Sequence, residues 1–199
     1  MLQAYALEAL ESADIQAWTT TQLGSLTSRQ LAGLTTTELN TLDTVQLNAL
    51  NAADLSATQI RGMTATAIAA LSTAQAQSLT TQQIAALTAT GLDALSSDEI
   101  QGWTAGQLAA LTSQQLAGLS TTALADFSET QLGSLTSLQL RGLTTTQLNT
   151  MDTAQLNALT AAKDRAHEYA TLEHTAFEAL STAQAQALTT LQIASLTVT

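Results

Sequence analysis

The chain has 199 residues, a formal net charge of −11 and a pI near 4.2, with 45% apolar, 11% charged and 3% aromatic residues. Its five Lys and Arg residues are too few and too scattered to displace counterions from a phosphate backbone or to hold an anionic lipid surface, so neither nucleic acid nor membrane is an expected partner. It has no cysteine, which excludes disulfides and thiolate metal sites, and no run long enough for membrane insertion.

In chain order, residues 1–9 (MLQAYALEA) are rich in helix formers and predict an N-terminal cap, with a longer helix near 2–10. The same stretch has neither a positive n-region nor an apolar h-region, so it is not read as a secretory signal. Residues 10–159 are filled by an octapeptide that begins at a large apolar residue, as in Leu26-Thr-Ser-Arg-Gln-Leu-Ala-Gly and Leu34-Thr-Thr-Thr-Glu-Leu-Asn-Thr. Leu50 to Asp54 is a shortened unit. Residues 160–179 depart from the pattern as a non-repeat helical insertion, with a longer helix expected near 160–180, and residues 180–199 return to it. A second period lies over the first: Gly24 to Leu50 nearly matches Gly133 to Leu159, which points to duplication of a block already repetitive.

Each octad position has a physical reading. Position 1 is large and apolar, including Trp18, Met63, Trp103, Phe127 and Met151 among the leucines, and position 6 is nearly always Leu or Ile, with Ala76 and Ala185 as exceptions. Position 2 is almost entirely Thr, Ser, Asp or Asn, with Glu11 the outlier. Those short side chains accept from the free N–H groups that open a helix, which predicts structural caps at Thr27, Thr35, Asp43, Thr80, Thr112, Thr144 and Asp152. Position 5 is usually Gln or Glu (Gln30, Glu38, Gln46, Gln83, Glu99, Gln115, Gln139), at the spacing where it reaches back to the N–H of the cap residue. Position 8 is small and often glycine, at Gly33, Gly62, Gly102, Gly118 and Gly142. That predicts helices stopped by a residue in the left-handed conformation.

So each octad carries its own start signal. One continuous helix is excluded: at about 100° per residue, eight residues overshoot two turns by roughly 80°, so no apolar face persists. A coiled coil needs a period of seven or eleven. The expectation is an all-α solenoid or superhelix of very short helices, one per octad, in a single array over 1–199. A β-solenoid is the structural alternative, disfavoured because Leu, Ala and Gln prefer helix and turn pairs are missing. A lone octad cannot offset the entropy of ordering its backbone, so the units must stack into a shared leucine core.

The chemistry-bearing residues are sparse. No His or Lys recurs beside the hydroxyls to activate a nucleophile, and phosphate-cradling and zinc-protease motifs are absent, so neither enzymatic activity nor any cofactor is expected. The departure Lys163 to Glu178 holds both histidines, His167 and His174, with Glu178 four residues further on. These three are the metal candidates; an amphipathic helix with solvated ion pairs is the plainer account. Trp18 and Trp103 occupy leucine positions, which suggests core packing ahead of ligand stacking.

The octads Leu143-Thr-Thr-Thr-Gln-Leu-Asn-Thr, Leu79-Thr-Thr-Gln-Gln-Ile-Ala-Ala and Leu111-Thr-Ser-Gln-Gln-Leu-Ala-Gly resemble the Leu-Thr-x-x-Gln-Leu-x-x tracts of long, low-complexity bacterial proteins described as adhesin-like or surface-associated. The resemblance covers nearly the whole chain apart from Lys163 to Glu178. It implies a non-enzymatic spacer, stalk or self-assembling scaffold at the cell surface or outside the cell, with the chain itself as partner through end-to-end or lateral assembly. Two other functions fit the pattern: an ice- or surface-binding array of Thr hydroxyls, for which Thr35 to Thr37 and Thr144 to Thr146 supply triplets, and a protein-binding solenoid scaffold.

Overall fold

The computed structural model describes residues 11–152 together with 154, 155, 158, 159 and 182. The expected cap at 1–9, the longer helices near 2–10 and 160–180, the candidates His167, His174 and Glu178, and the octads of 180–199 other than residue 182 lie outside the described residues.

The described residues are helical and contain no strand, so the β-solenoid is set aside. Two compact units divide the chain, 1–103 and 104–199. The first holds α1 (Ser12–Gln16), α2 (Thr20–Gly24), α3 (Ser28–Leu31), α4 (Thr36–Thr41), α5 (Thr44–Ala49), the 3-10 helix η1 (Ala52–Asp54), α6 (Ala57–Gly62), α7 (Ala65–Ala69), α8 (Thr73–Gln77), α9 (Thr81–Ala86), α10 (Ala89–Leu92) and α11 (Ser97–Gln101). The second holds α12 (Ala105–Ala109), α13 (Ser113–Gly118), α14 (Thr121–Ala125), α15 (Glu129–Ser134), α16 (Ser137–Leu140) and α17 (Thr145–Thr150). Each helix is one octad, and η1 is the shortened unit.

Local chemistry sets these lengths. The residue at position 2 is extended, with φ −75° and ψ 159° at Thr35, and its hydroxyl accepts from the N–H three residues on. The helix then runs for four to six residues. It ends where the chain straightens before the next cap: Leu42, at position 1, has φ −68° and ψ 141°. The predicted left-handed stop is not how these helices end. Among the described residues no glycine has a positive φ, and Gly102 closes α11 at φ −74°. The extended position 1 residue already breaks the helix, so no left-handed residue is needed. Glycine instead answers close approach. A Cβ on Gly142 would run into the backbone of Ser113, and one on Gly62 into the side chain of Thr36.

Helices pack chiefly three units apart, and α4 also meets α7, four units on. In the first unit α1 lies against α4, α2 against α5, α6 against α9, α7 against α10 and α8 against α11; counting η1 as a unit, α4–α6 and η1–α8 obey the same rule. In the second unit the pairs are α12–α15, α13–α16 and α14–α17. Three octads therefore complete one coil, and each coil rests on the one before. Positions 1 and 6 fill the interior: Leu39, Ile68, Ile84 and Ile100 at position 6 are completely buried, and Leu34, Leu87 and Leu111 at position 1 nearly so. Each such side chain contributes about 1.5–3 kcal/mol by leaving water. Ala76, the small exception at position 6, is equally buried. Trp103 is buried nearby and its indole N–H donates to the Ala76 carbonyl at 3.0 Å, so it is a core residue and offers no exposed ring to a ligand. Trp18 is half-buried.

Candidate functional site, a glutamine clamp between successive coils

A coil of very short helices has an acute hydrogen-bonding problem. Every helix leaves orphan N–H groups at its start and orphan carbonyls at its end, and here both recur every octad beside a buried core. The side chains that solve it form the principal polar site among the described residues.

The starts are met by the position 2 side chains. Thr27, Thr35, Asp43, Thr80, Thr112, Thr144 and Asp152 accept from the backbone N–H of Gln30, Glu38, Gln46, Gln83, Gln115, Gln147 and Gln155 at 3.4, 3.2, 2.8, 3.3, 3.1, 3.2 and 2.7 Å. Position 5 reciprocates: Gln59 Oε1 accepts from the Ser56 N–H at 2.8 Å and Gln83 Oε1 from the Thr80 N–H at 2.7 Å. Glu11, the outlier, still forms such a box, its own N–H donating to Asp14 Oδ2 at 3.0 Å. Asn51 does not cap; its amide donates to Asp54 Oδ2 at 2.7 Å inside the shortened unit.

The ends are met by the same glutamines from one coil further on. Gln59 Nε2 donates to the carbonyls of Leu31 and Leu34 at 2.7 and 2.8 Å. Gln75 reaches Leu47 and Leu50 at 3.0 and 2.7 Å, and Gln83 reaches Ala52 and Leu55 at 2.8 and 2.6 Å. In the second unit Gln139 holds Leu108 and Leu111 at 2.7 and 2.9 Å, and Gln147 holds Leu116 and Leu119 at 2.7 and 2.8 Å. Each pair of carbonyls belongs to one joint: the position 6 residue of an ending helix, or Ala52 in the shortened unit, and the position 1 residue that follows. One buried amide thus opens its own helix with its oxygen and closes a joint in the previous coil with both N–H groups. Gln59, Gln83, Gln139 and Gln147 are each no more than 4% exposed.

A second set of amides works at the rim from position 7. Asn40 donates to the Gly62 carbonyl at 2.9 Å and accepts from the Thr64 N–H at 2.8 Å. That N–H needs it, because the octad of Thr64 has Ala67 at position 5 and no side chain with which to accept. Asn48 accepts from the Ser72 N–H at 2.8 Å, and Gln77 donates to the Asp98 carbonyl at 3.0 Å.

The capping-box reading of position 5 accounts for its oxygen alone. The signal for the rest lay in the choice of amide over acid. A box accepts Glu as readily as Gln, yet in an acidic chain the described octads carry Glu there only at Glu38 and Glu99. Of the two, only the amide offers donors and an acceptor together.

Among the described residues no group of three His, Cys, Asp or Glu side chains is placed to hold a metal ion, and no helix is long and apolar enough to cross a membrane. The arrangement is a repeat array of short helices joined by amide clamps. Residues 7–44 match the family model described as the ALTTAQ repeat. No curated protein matches the chain. The segment Ala70-Leu-Ser-Thr-Ala-Gln75 differs from those six letters at one residue.

Proposed function

We propose that this chain is a structural repeat segment, a spacer, stalk or self-assembling scaffold of a bacterial surface-associated or secreted protein, and that its partner is itself. The observation that supports this reading is the use of its buried polar side chains. The position 5 amides turn inward to hold one coil to the next, as at Gln59 and Gln139, so they serve cohesion between repeats. Each coil carries the means of holding the previous one, which suits a chain whose task is to span distance by repetition. Small-angle scattering and negative-stain imaging of the full chain test it. Elongated particles, or particles that add end to end or side by side, are expected; a compact sphere enclosing a deep pocket overturns it.

A Thr-array reading has one observation in its favour. Thr21, Thr66 and Thr90 are exposed at position 4 of octads three units apart, with exposed Val45 between them. Thermal hysteresis at high protein concentration supports that surface, and its absence removes it.

A further inference from the structure

We infer that residues 87–94 are a built-in opening point of the first unit, the octad that releases the coil beneath it before its neighbours do. The clamp is missing there. Position 5 is Gly91, which has no amide for the joint below. Counting back 31 and 28 residues, as from Gln83, that joint lies at Ile60 and Met63. The reciprocal box is missing too: Thr88 caps through its hydroxyl, with Gly91 N–H donating at 3.0 Å, but Gly91 has no side chain to accept from the Thr88 N–H. The helix itself, α10, has four residues and one of them is glycine, which costs about 0.5–1 kcal/mol in a helix interior relative to alanine.

The octad beneath it is also unclamped. α10 rests on α7, whose position 5 residue is Ala67, so two successive octads of one column lack the amide. In the neighbouring columns no two successive octads are so bare: Gln59 and Gln83 lie to one side, and on the other Gln75 is followed by Glu99, which keeps the reciprocal box but has no N–H to give. Ala67 is compensated by Asn40 from the coil below, which bonds Thr64 and Gly62. By the same register, four units back, the residue beneath Thr88 is Arg61, whose guanidinium has donors but no acceptor for that N–H. At Gly91 the neighbour from α7 is apolar, with Ile68 Cγ1 3.6 Å from where a Cβ of Gly91 would stand. An octad with fewer bonds to the coil beneath it opens locally below the global unfolding free energy.

The opening follows from the fold; its use, as a length that yields under tension, rests on the spacer reading above. Hydrogen exchange on the full chain tests the first. The amides of Leu92 and Asp93, which donate to Thr88 and Ala89, should exchange about tenfold or more faster than that of Ile84 in α9, which donates to Thr80. Gly91→Gln, which places an amide over Ile60 and Met63, should remove the difference; Ala67→Gln, whose amide faces Leu39 and Leu42 one coil lower, should leave it in place. Equal protection in the parent chain, or a difference untouched by Gly91→Gln, overturns the proposal. Pulling on single molecules tests the use. An early step of at most about 26–29 Å, one octad drawn straight, should appear in the parent and be lost in Gly91→Gln. Faster exchange without that step leaves the opening standing and removes its role under tension.

Discussion

Gln59→Glu separates the two tasks of the clamp. The substitution keeps the volume of the side chain and the oxygen that accepts from the Ser56 N–H at 2.8 Å. It removes the two N–H groups that reach Leu31 and Leu34 at 2.7 and 2.8 Å. The site is 4% exposed, so water does not readily replace them. A buried carbonyl left without its donor costs about 1–3 kcal/mol. The Leu31 carbonyl keeps a second bond, from the Leu34 N–H at 3.1 Å, so the two losses together are worth about 2–4 kcal/mol. The control is Gln22→Glu. That glutamine is exposed and accepts from the Thr19 N–H at 2.9 Å, so the same chemical change there should stay within about 0.5 kcal/mol. Urea unfolding followed by far-ultraviolet circular dichroism reads both as shifts in the midpoint at constant slope. A Gln59→Glu midpoint no lower than that of Gln22→Glu would refute the clamp as a source of stability.

The converse change should help. Glu99, 6% exposed, accepts from the Ser96 N–H at 2.7 Å but has no N–H for the joint at Ile68 and Leu71, so Glu99→Gln should raise stability by about 1–3 kcal/mol through two added bonds, measured as a higher urea midpoint. Two glycines should respond with opposite signs. Gly142→Ala drives a methyl into the Ser113 backbone and should cost about 1–3 kcal/mol, whereas Gly106→Ala, whose nearest contact is Thr104 Oγ1 at 3.9 Å inside α12, should gain about 0.5–1 kcal/mol; differential scanning calorimetry of the pair reads both signs. Ile84→Ala, at a fully buried position 6, should cost about 2–5 kcal/mol by cavity formation, lowering the thermal midpoint without changing the far-ultraviolet spectrum of the folded chain.

Much of this fold can be read from a single octad. Thr35 at position 2 announces a start, and Leu34 and Leu39 announce the interior; a period of eight leaves a continuous helix no stable face. These are local facts, written in one unit and repeated. The clamp is not local. Gln75 shows its purpose only against Leu47 and Leu50, in the coil before it, and no inspection of Leu71 to Ser78 alone contains those carbonyls. The glycines failed as signals for a related reason. Gly142 is small because the backbone of Ser113 passes close by, a constraint set by the packing of coils and invisible to φ and ψ preferences. Asn40 is the subtlest case: its amide bonds Thr64, in a unit that has Ala67 where its neighbours have glutamine, so its meaning depends on a residue missing elsewhere.

The shortened unit at Leu50 to Asp54 bears on how such a chain can change in length. Gln139 finds its two carbonyls 31 and 28 residues back, but Gln59 and Gln75, whose circuits include the five-residue side, find theirs 28 and 25 residues back with bonds as short. The amide therefore counts sides of the circuit and is indifferent to how many residues each side contains. Recombination that inserts or deletes whole sides hands every glutamine a new but equivalent joint. A single-residue slip within a side moves the wrong atoms beneath it. Gene lengthening in such an array is tolerated in steps of one side, whatever that side happens to spell.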